Sequence, residues 1–401
     1  MINVIGLGYI GLPTALMLAS HGQTVVGTDY NQEIIDRLNH GETTFRENGL
    51  TELYHAARKN GIRFTTEYQK TDVYIVSVPT PYEDATKQVD PAYVVSAVRQ
   101  VLQTAPKGAV LIIESTVSPG TIDRYVRPLI SENGFSPEDI HLVHAPERIL
   151  PGNMLFELEN NSRTIGADDP KIGAMVREIY ASFCKGTIVL TDITTAEMTK
   201  VIENTYRAVN IAFANELMKL CRHERMDINE IIRICNMHPR VNILSPGPGV
   251  GGHCIPIDPW FLVGDFGDQM PLVKTALKIN DEMPEFVFTR ICDVMKENGI
   301  TDFSKVGLYG LTYKENVDDV RQSPTLQLLA AHPEPFAVYD PMIQKTIVEN
   351  QMFSFEEFCS ACELIVVMVG HDEIRAGDGW QTDKVILDTR NVCQGKNVFR
   401  L

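Results

Sequence analysis

The sequence has no long apolar run and no excess of basic residues. None of its stretches approaches the roughly 20 apolar residues that a helix needs to cross a bilayer. The chain opens in a short strand pattern, without the basic region and cleavage site of a secretory leader. It carries 36 Lys and Arg against 52 Asp and Glu, a net charge of −16. These features predict a cytoplasmic protein that binds neither a membrane nor nucleic acid, since a phosphate backbone requires a basic surface.

Closely spaced cysteines are also scarce. The 8 cysteines are scattered along the chain, and Cys359 and Cys362 form a lone C-x-x-C pair inside a helical pattern. Without a second pair, this spacing predicts neither a disulfide framework nor a metal site. Scattered free thiols are typical of a reducing compartment.

The chain does have length and a regular alternation of apolar runs with helical patterns. Its 401 residues exceed one hydrophobic core and predict two or three domains. The alternation predicts an α/β fold with two Rossmann-like parallel-sheet domains, joined by a long central helix and a helical middle domain. We expect these domains to span residues 1–190, 191–298 and 299–401.

A glycine-rich turn follows the first predicted strand. Gly6, Gly8 and Gly11 have the G-x-G-x-x-G spacing, a helical pattern follows, and the next strand ends in Asp29. In dinucleotide-binding domains the glycines allow close approach of the pyrophosphate, and the helix N-terminus attracts its charge. An acid at position 29 accepts hydrogen bonds from ribose hydroxyls, so we expect the cofactor to be NAD.

Polar residues end three further predicted strands. Thr80, Thr116, Glu147 and Arg148 each follow a buried apolar run. The carboxyl ends of parallel strands meet at one edge of a sheet, where ligands bind. We therefore expect these residues to line a common cleft, although each alone fits an ordinary loop.

A long helical pattern runs from Thr191 to Arg222. Thr194 and Glu197 have the spacing of a capping box. Three polar residues have the spacing of one helix face: Lys200, Asn204 and Arg207. This face fits either a lined pocket or a solvated surface. The length of the helix predicts that it bridges domains and packs in a dimer.

A loop rich in glycine and proline surrounds Cys254. Four glycines and two prolines immediately precede this cysteine, and Asp258 and Pro259 follow it. Pro259 fits the first position of a helix, with Asp258 as its N-cap. A thiol just ahead of a helix N-terminus has a lowered pKa, so the pattern predicts an activated thiolate. The alternative is a buried structural cysteine.

The segment after the first strand of the second α/β region contains Lys314 and Arg321. Their position favours a phosphate-binding role, with surface charges as the alternative. NAD beside a thiolate is the chemistry of aldehyde oxidation. The thiolate adds to a carbonyl, hydride leaves to nicotinamide, and water cleaves the thioester that remains.

Seven motifs together resemble the UDP-glucose/GDP-mannose dehydrogenase family over essentially the whole chain. They are Gly6-x-Gly8-x-x-Gly11, Pro79-Thr-Pro81, Glu114-Ser-Thr116, Ala145-Pro-Glu-Arg148, Lys200-x-x-x-Asn204, Gly249-x-Gly-Gly-x-Cys254-x-Pro-x-Asp258 and Tyr313-Lys314 through Pro324. The segment Pro146-Glu-Arg-Ile-Leu-Pro-Gly152 is similar to the branch that acts on UDP-N-acetylhexosamines.

The resemblance implies a four-electron oxidation of a sugar C6 alcohol to a carboxylate with two NAD, by a cytoplasmic homodimer that serves polysaccharide biosynthesis. UDP-N-acetylmannosamine is the first expected substrate, with UDP-N-acetylglucosamine and UDP-glucose as alternatives. The central helix is expected to form the dimer, and the C-terminal domain to bind the UDP-sugar.

The resemblance also implies roles for individual residues. The expected catalytic residues are Cys254, Lys200, Asn204, Asp258, Glu147 and Thr116. The expected NAD-binding residues are Gly6, Gly8, Tyr9, Ile10, Gly11, Asp29, Thr80 and Thr116. The expected substrate-binding residues are Arg148, Ile149, Lys200, Asn204, Arg207, His238, Arg240, Gly251, Tyr313, Lys314, Arg321 and Arg390. Arg240 would reach the site of the partner subunit.

Two other functions share part of this pattern. A two-electron β-hydroxyacid dehydrogenase has the Rossmann domain and a Lys-x-x-x-Asn helix, but lacks the cysteine loop and the second α/β domain. A non-catalytic sensor of nucleotide sugars or NAD would bind without turnover, and the intact set of Lys200, Asn204, Cys254 and Asp258 argues against it.

Overall fold

The computed structural model describes residues 1–82, 86, 88–149, 152–375 and 383–401. Leu150 and Pro151, which belong to one of the quoted motifs, lie outside the described residues. The chain divides into two compact units, Met1–Glu203 and Asn204–Leu401. The three-domain division expected from the sequence stays a prediction.

The first unit contains an eight-stranded sheet within its described residues, with strand order β3-β2-β1-β4-β5-β6-β7-β8. Its strands are β1 Ile2–Ile5, β2 Val25–Thr28, β3 Arg63–Thr65, β4 Val73–Val76, β5 Ala109–Ile113, β6 Ile140–His144, β7 Arg163–Ala167 and β8 Ile188–Thr191. The first six strands are parallel and follow the order typical of dinucleotide-binding folds. Strand β7 runs antiparallel to β6, and β8 runs parallel to β7.

Helices cover both faces of this sheet. They are α1 Gly11–Ser20, α2 Gln32–His40, α3 Leu50–Lys59, α4 Ala92–Thr104, α5 Arg127–Glu132, α6 Met154–Asn160 and α7 Pro170–Tyr180, with a π-helical turn at Ile122–Val126. Side chains alternate between two cores: Ile75 belongs to one, and its neighbours Tyr74 and Val76 belong to the other. Burial on both faces explains why these strands are continuous apolar runs.

A 31-residue helix, α8 (Ile193–His223), crosses from the first unit into the second. Asp192 caps it, because its carboxylate accepts the backbone N–H of Thr195 at 2.8 Å and the Thr195 hydroxyl at 2.6 Å. The predicted capping box of Thr194 and Glu197 is therefore wrong. Glu197 is fully buried and instead accepts the backbone N–H groups of Gly120 (2.5 Å) and Ile122 (2.9 Å), which would otherwise lack acceptors.

The second unit contains a six-stranded parallel sheet in its described residues, ordered β11-β10-β9-β12-β13-β14. Its strands are β9 Val306–Tyr309, β10 Ala337–Tyr339, β11 Gln351–Met352, β12 Leu364–Val367, β13 Val385–Asp388 and β14 Val398–Arg400. The remaining helices are α9 Ile228–Cys235, α10 Asp258–Phe266, α11 Pro271–Asp281, α12 Met283–Glu297, α13 Pro324–Ala331, α14 Phe355–Ala361 and α15 Asp372–Arg375. The strand order matches that of β1–β6 in the first unit, so the prediction of two Rossmann-like domains is confirmed.

The two sheets also share a hydrogen-bonding arrangement at the end of the second strand of each sheet. Asp29 follows β2 and accepts the backbone N–H of Leu7 at 2.8 Å. Asp340 follows β10 and accepts the backbone N–H of Leu311 at 2.6 Å. In both cases a glycine with positive φ precedes the donor, Gly6 at +87° and Gly310 at +104°. Each carboxylate therefore fixes the turn that leaves the first strand of its sheet.

No helix among the described residues is both long and apolar enough to cross a membrane. Within the same residues no three His, Cys, Asp or Glu side chains lie close enough together to hold a metal ion. Cys359 and Cys362 lie in and directly after α14, and burial raises the pKa of their thiols to about 11 and about 12.

Candidate active site

The three glycines of the first turn are not all required for the same reason. A Cβ atom at Gly6 would lie 2.3 Å from the Ser77 carbonyl oxygen, and one at Gly11 would lie 1.9 Å from the Gly6 carbonyl oxygen. At Gly8 a Cβ atom would meet no described atom within 4 Å. Packing therefore requires glycine at the first and third positions, whereas the second leaves backbone open to a ligand. This arrangement fits a dinucleotide pyrophosphate.

The other expected NAD residues surround this turn. Asp29 is buried, and its second carboxylate oxygen accepts the backbone N–H of Asn31 at 2.9 Å. The Tyr9 ring stacks on Phe45 with 4.4 Å between ring centroids. Ile10 directly precedes α1 and gives its first N–H groups no side-chain acceptor. The helix N-terminus is thus suited to an anionic ligand.

Thr80 and Thr116 come together at the carboxyl ends of β4 and β5. The Thr80 hydroxyl donates to the Thr116 carbonyl oxygen at 2.6 Å. Thr80 is buried and Thr116 is half-buried. The expectation that these strand ends share one edge is met for this pair, and their roles toward a ligand stay predictions.

Glu147, Arg148 and Ile149 follow β6 and differ sharply in surroundings. The Glu147 carboxylate accepts the backbone N–H of Arg148 at 2.6 Å and pairs with the guanidinium of Arg163. The Arg148 guanidinium donates to Ser162 and pairs with Glu203. The Ile149 side chain packs in the hydrophobic core of the first unit, so any substrate contact at this position falls to its backbone.

The predicted polar face of α8 is largely buried. Lys200 lies in the first unit and Asn204 in the second, and both are buried. Arg207 is half-buried. The Asn204 amide donates to the Asp258 carboxylate at 2.6 Å. A solvated face is therefore excluded for Lys200 and Asn204.

Asp258 is not the N-cap of α10. The helix spans Asp258–Phe266, and Ile257 precedes it without a side-chain cap. The prediction is wrong by one residue, because the buried Asp258 carboxylate accepts from Asn204 instead of capping the helix. The Cys254 carbonyl oxygen accepts the N–H groups of Ile257 (3.1 Å) and Asp258 (2.8 Å). Half-buried Cys254 thus lies one tight turn ahead of the helix, and a lowered thiol pKa stays a prediction.

The glycines of the cysteine loop pack against the segment that follows β9. A Cβ atom at Gly251 would lie 2.6 Å from the Tyr313 Cβ atom and 2.7 Å from the Gln322 carbonyl oxygen. Gly252 has a φ of +91°, and its N–H donates to the Arg321 carbonyl oxygen at 2.9 Å. The loop is therefore glycine-rich because it lies directly against another segment. This contact brings Gly251 together with Tyr313 and Arg321. The roles of these three residues toward a substrate stay predictions.

The expected basic residues of the second unit differ in their pairing. Arg321 forms a bidentate ion pair with Asp319, with 2.6 Å between Nη2 and Oδ2. Lys314 is half-buried, and its carbonyl oxygen accepts the Thr312 hydroxyl at 2.9 Å. His238 and Arg240 are exposed.

Arg390 borders a cavity of about 430 Å³ that Arg375 and Arg400 also line. Burial lowers the pKa of Arg390. A Cβ atom at Gly247 would lie 2.7 Å from its Nη1 atom, so the guanidinium lies over the backbone at the start of the cysteine loop. Asp388 also lines the cavity and pairs with Arg400. This pairing leaves Arg375 and Arg390 as the cations suited to an anionic ligand.

Three residues that support the site escaped the sequence patterns: Arg163, Asp340 and His371. His371 is buried and accepts the Asn316 N–H at Nδ1 (3.0 Å), which leaves Nε2, 3.3 Å from the Asp340 carboxylate, as the protonated nitrogen. A polar residue after a buried strand was the available signal for His371. For Arg163, the available signal was a single basic residue at the start of a short strand.

Comparison with protein families covers nearly the whole chain. Residues 1–184 match the NAD binding domain of the UDP-glucose/GDP-mannose dehydrogenase family. Residues 194–282 match its central domain, and residues 307–395 match its UDP binding domain.

Individual relatives agree. A UDP-N-acetyl-D-mannosamine dehydrogenase of Methanococcus maripaludis is 40% identical over 98% of this chain and 93% of its own length. An NDP-N-acetyl-D-galactosaminuronic acid dehydrogenase of Ralstonia nicotianae is 37% identical over 99% of this chain and 97% of its own. The solved structure of a UDP-D-ManNAc dehydrogenase from Pyrococcus horikoshii has a TM-score of 0.90 and 35% identity, and covers 98% and 96% of the two chains.

Proposed function

The chain belongs to the UDP-glucose/GDP-mannose dehydrogenase family, and on that basis we propose that it oxidises the C6 alcohol of a UDP-N-acetylhexosamine to the carboxylate. Membership makes it an NAD-dependent UDP-sugar dehydrogenase. UDP-N-acetylmannosamine is the first candidate substrate, because the Methanococcus maripaludis relative carries that name at 40% identity. The name of the Ralstonia nicotianae relative favours a nucleotide-linked N-acetylgalactosamine derivative as the second.

The observation that carries the chemistry is the buried hydrogen bond between Asn204 and Asp258, one turn from Cys254. When bound, NAD would supply the hydride acceptor for each of the two oxidations. The Cys254 thiolate adds to the aldehyde left by the first step, and loss of the second hydride converts the thiohemiacetal to a thioester. Water then cleaves the thioester, which releases the acid and returns the thiol.

The remaining roles follow from resemblance and from burial. Lys200 takes the proton of the C6 hydroxyl and stabilises the oxyanion on the thiohemiacetal. Asn204 fixes Asp258, which orients the attacking water together with Lys200. Thr116 and Glu147 hold a further water. A buried lysine is suited to this work because neither the neutral amine that takes the proton nor the ammonium group that results has much competing solvent.

The substrate is proposed to bind through its diphosphate and its sugar. Tyr313 and Lys314 hold the diphosphate, with Arg321 after it exchanges the Asp319 carboxylate for phosphate oxygens. Arg390 borders the cavity that Arg375 also lines and contributes to the same nucleotide. The other proposed sugar contacts are Arg148, the Ile149 backbone, Arg207, His238 and Gly251.

A homodimer through α8 is part of the proposal. Tyr206, Phe213 and Leu220 lie seven residues apart on this helix and are 59%, 49% and 52% exposed. Such a row of exposed apolar side chains is typical of a helix that packs against a second copy. Exposed Arg240 would then reach the site of the partner subunit. A cytoplasmic location stays a prediction, and polysaccharide biosynthesis is the proposed use of the acidic sugar nucleotide.

A substrate panel tests the proposal. The purified protein is incubated with NAD and with UDP-N-acetylmannosamine, UDP-N-acetylglucosamine, UDP-N-acetylgalactosamine, UDP-glucose or GDP-mannose, and NADH is followed by absorbance. We expect the highest kcat/KM with UDP-N-acetylmannosamine. Turnover confined to UDP-glucose or GDP-mannose would refute the proposed substrate class, and no turnover with any of them would refute the proposed activity.

Cys254→Ala tests the covalent step, with exposed Cys235→Ala as the matched control. We expect Cys254→Ala to abolish formation of the acid and to leave NAD affinity within twofold, because the thiolate acts only after the aldehyde forms. The control should keep full activity. Acid formation by Cys254→Ala at an undiminished rate would contradict the Cys254 thioester and would favour another nucleophile, such as water adding directly to the aldehyde.

A further inference from the structure

A buried arginine in the first unit lies between two carboxylates. Arg163 begins β7 and is 3% exposed. Its Nη1 atom lies 3.3 Å from Glu114 Oε1, and its Nη2 atom pairs with Glu147 Oε2. The guanidinium also stacks over the Tyr180 ring, with 4.0 Å from its central carbon to the ring centroid. Two carboxylates and the face of one aromatic ring therefore hold the Arg163 guanidinium in place.

Glu114 is held on one oxygen atom only. Its Oε1 atom accepts the Tyr180 hydroxyl at 3.2 Å, and the Thr14 hydroxyl of α1 lies 3.4 Å from it. Among the described residues no donor reaches the buried Oε2 atom. The titratable or charged groups facing Glu114 are Arg163, Glu147 and Tyr180. Burial, only partly offset by the Arg163 charge, raises the pKa of Glu114 to about 7.

The cation itself stays charged. Burial alone would lower the pKa of Arg163, but the carboxylates of Glu147 and Glu114, with Tyr180, raise it above its ordinary value. A buried ion pair returns little net stability, because both charges lose their hydration. Stability is therefore a poor explanation for placing this arginine beside Glu147, and orientation is a better one.

We propose that Arg163 is a positioning residue that fixes the Glu147 carboxylate for its task, and that Glu114 and Tyr180 in turn fix Arg163. Glu147 Oε1 accepts the Arg148 N–H and Oε2 accepts from Arg163 Nη2, so the carboxylate is tied at both oxygen atoms. Each oxygen keeps a second lone pair that can accept from a water or a hydroxyl group. A carboxylate tied in this way presents those lone pairs in fixed directions.

The role of Glu147 in thioester hydrolysis belongs to the proposed function, so this inference rests on it. Arg163→Lys is the principal variant. It keeps the buried charge but loses the planar group whose Nη1 atom contacts Glu114 and whose Nη2 atom contacts Glu147. We expect kcat to fall about tenfold to a hundredfold, because the residue that orients a reacting group is weakened. KM for NAD and for the sugar nucleotide should stay within about twofold of the wild-type values. Exposed Arg177→Lys on α7 is the matched control and should keep full kcat.

A double-mutant cycle separates positioning from a merely structural role. In the Glu147→Gln background, Arg163→Lys should lower the residual kcat less than twofold, because the group that it positions is already lost. An equal loss in both backgrounds would overturn the proposal. If Arg163→Lys does not fold, the cycle is run with Arg163→Lys/Glu114→Gln, which removes the surplus buried negative charge.

An infrared readout does not need turnover. The carboxylate bands of Glu147 are isolated as the difference between wild type and Glu147→Gln, with uniformly labelled glutamate. We expect Arg163→Lys to shift these bands and Arg177→Lys to leave them unchanged. Unchanged bands in Arg163→Lys would overturn the proposal even in an active enzyme. If the wild type turns over no sugar nucleotide but the bands shift, the proposed function fails and the positioning contact stands.

Discussion

Glu114 ends in a carboxyl group that the core of the first unit surrounds. Burial raises its pKa from 4.5 to about 7, so the folded protein binds this proton more tightly than the unfolded chain. The stability that depends on the proton is therefore present below about pH 4.5 and lost as the pH rises to about 7. The same carboxyl group faces the arginine that holds Glu147. Stability and the geometry of the site are thus linked at one residue.

Glu114→Gln should remove this dependence, because glutamine resembles the protonated form at every pH. Between pH 5 and pH 8 we expect the unfolding free energy of the wild type to fall by about 3 kcal/mol relative to the variant. Urea unfolding at the two pH values measures the difference. Parallel pH profiles for the two proteins would contradict a raised pKa at Glu114.

Gly8 and Gly11 offer a matched pair of substitutions. Gly8→Ala meets no described atom within 4 Å, so the fold should persist while NAD affinity falls at least about tenfold. Gly11→Ala places a Cβ atom 1.9 Å from the Gly6 carbonyl oxygen and should destabilise the fold by about 1–3 kcal/mol or more. Calorimetric titration with NAD and thermal unfolding separate the two effects. Equal loss of stability in both variants would contradict the assignment of Gly8 to the ligand.

At the scale of elements, local patterns predicted the strands that are buried on both faces and missed the others. Strand β8 (Ile188–Thr191) was missed because its apolar run is only three residues long and the helical pattern of α8 begins directly after it. Strand β7 escaped because Arg163 opens it. The carboxylates of Glu197 and Asp258 serve partners 77 and 54 residues away, so no local capping rule could place them. The candidate residues were recognisable from sequence, but their supporting partners were not.

His371 lies just before α15 and contacts the segment after β9 that is expected to bind the substrate. It bonds to the Asn316 N–H and to Asp340, the carboxylate that fixes the turn before Tyr313. We expect His371→Ala to raise KM for the sugar nucleotide about tenfold and to leave KM for NAD unchanged, since the loop loses two anchors. Exposed His223→Ala is the control. Equal changes in both KM values would indicate general destabilisation instead.

At the scale of the whole molecule, the exposed row on α8 makes a prediction about assembly. Phe213→Asp puts a charge into the proposed interface and should convert a dimer to a monomer in light scattering. Activity should fall with it, because Arg240 would no longer reach a partner site. Phe156→Asp is the control, since Phe156 is 62% exposed on α6 of the first unit. A Phe213→Asp variant that stays dimeric would exclude this face as the interface.

The central claim is that one chain removes four electrons from one sugar through a thiol-bound intermediate. The most direct measurement counts NADH produced per sugar nucleotide consumed, with limiting UDP-N-acetylmannosamine and excess NAD, run to completion. The thioester route predicts two NADH and one carboxylate for each sugar. A ratio of one, with an aldehyde or ketone as the product, would contradict the account.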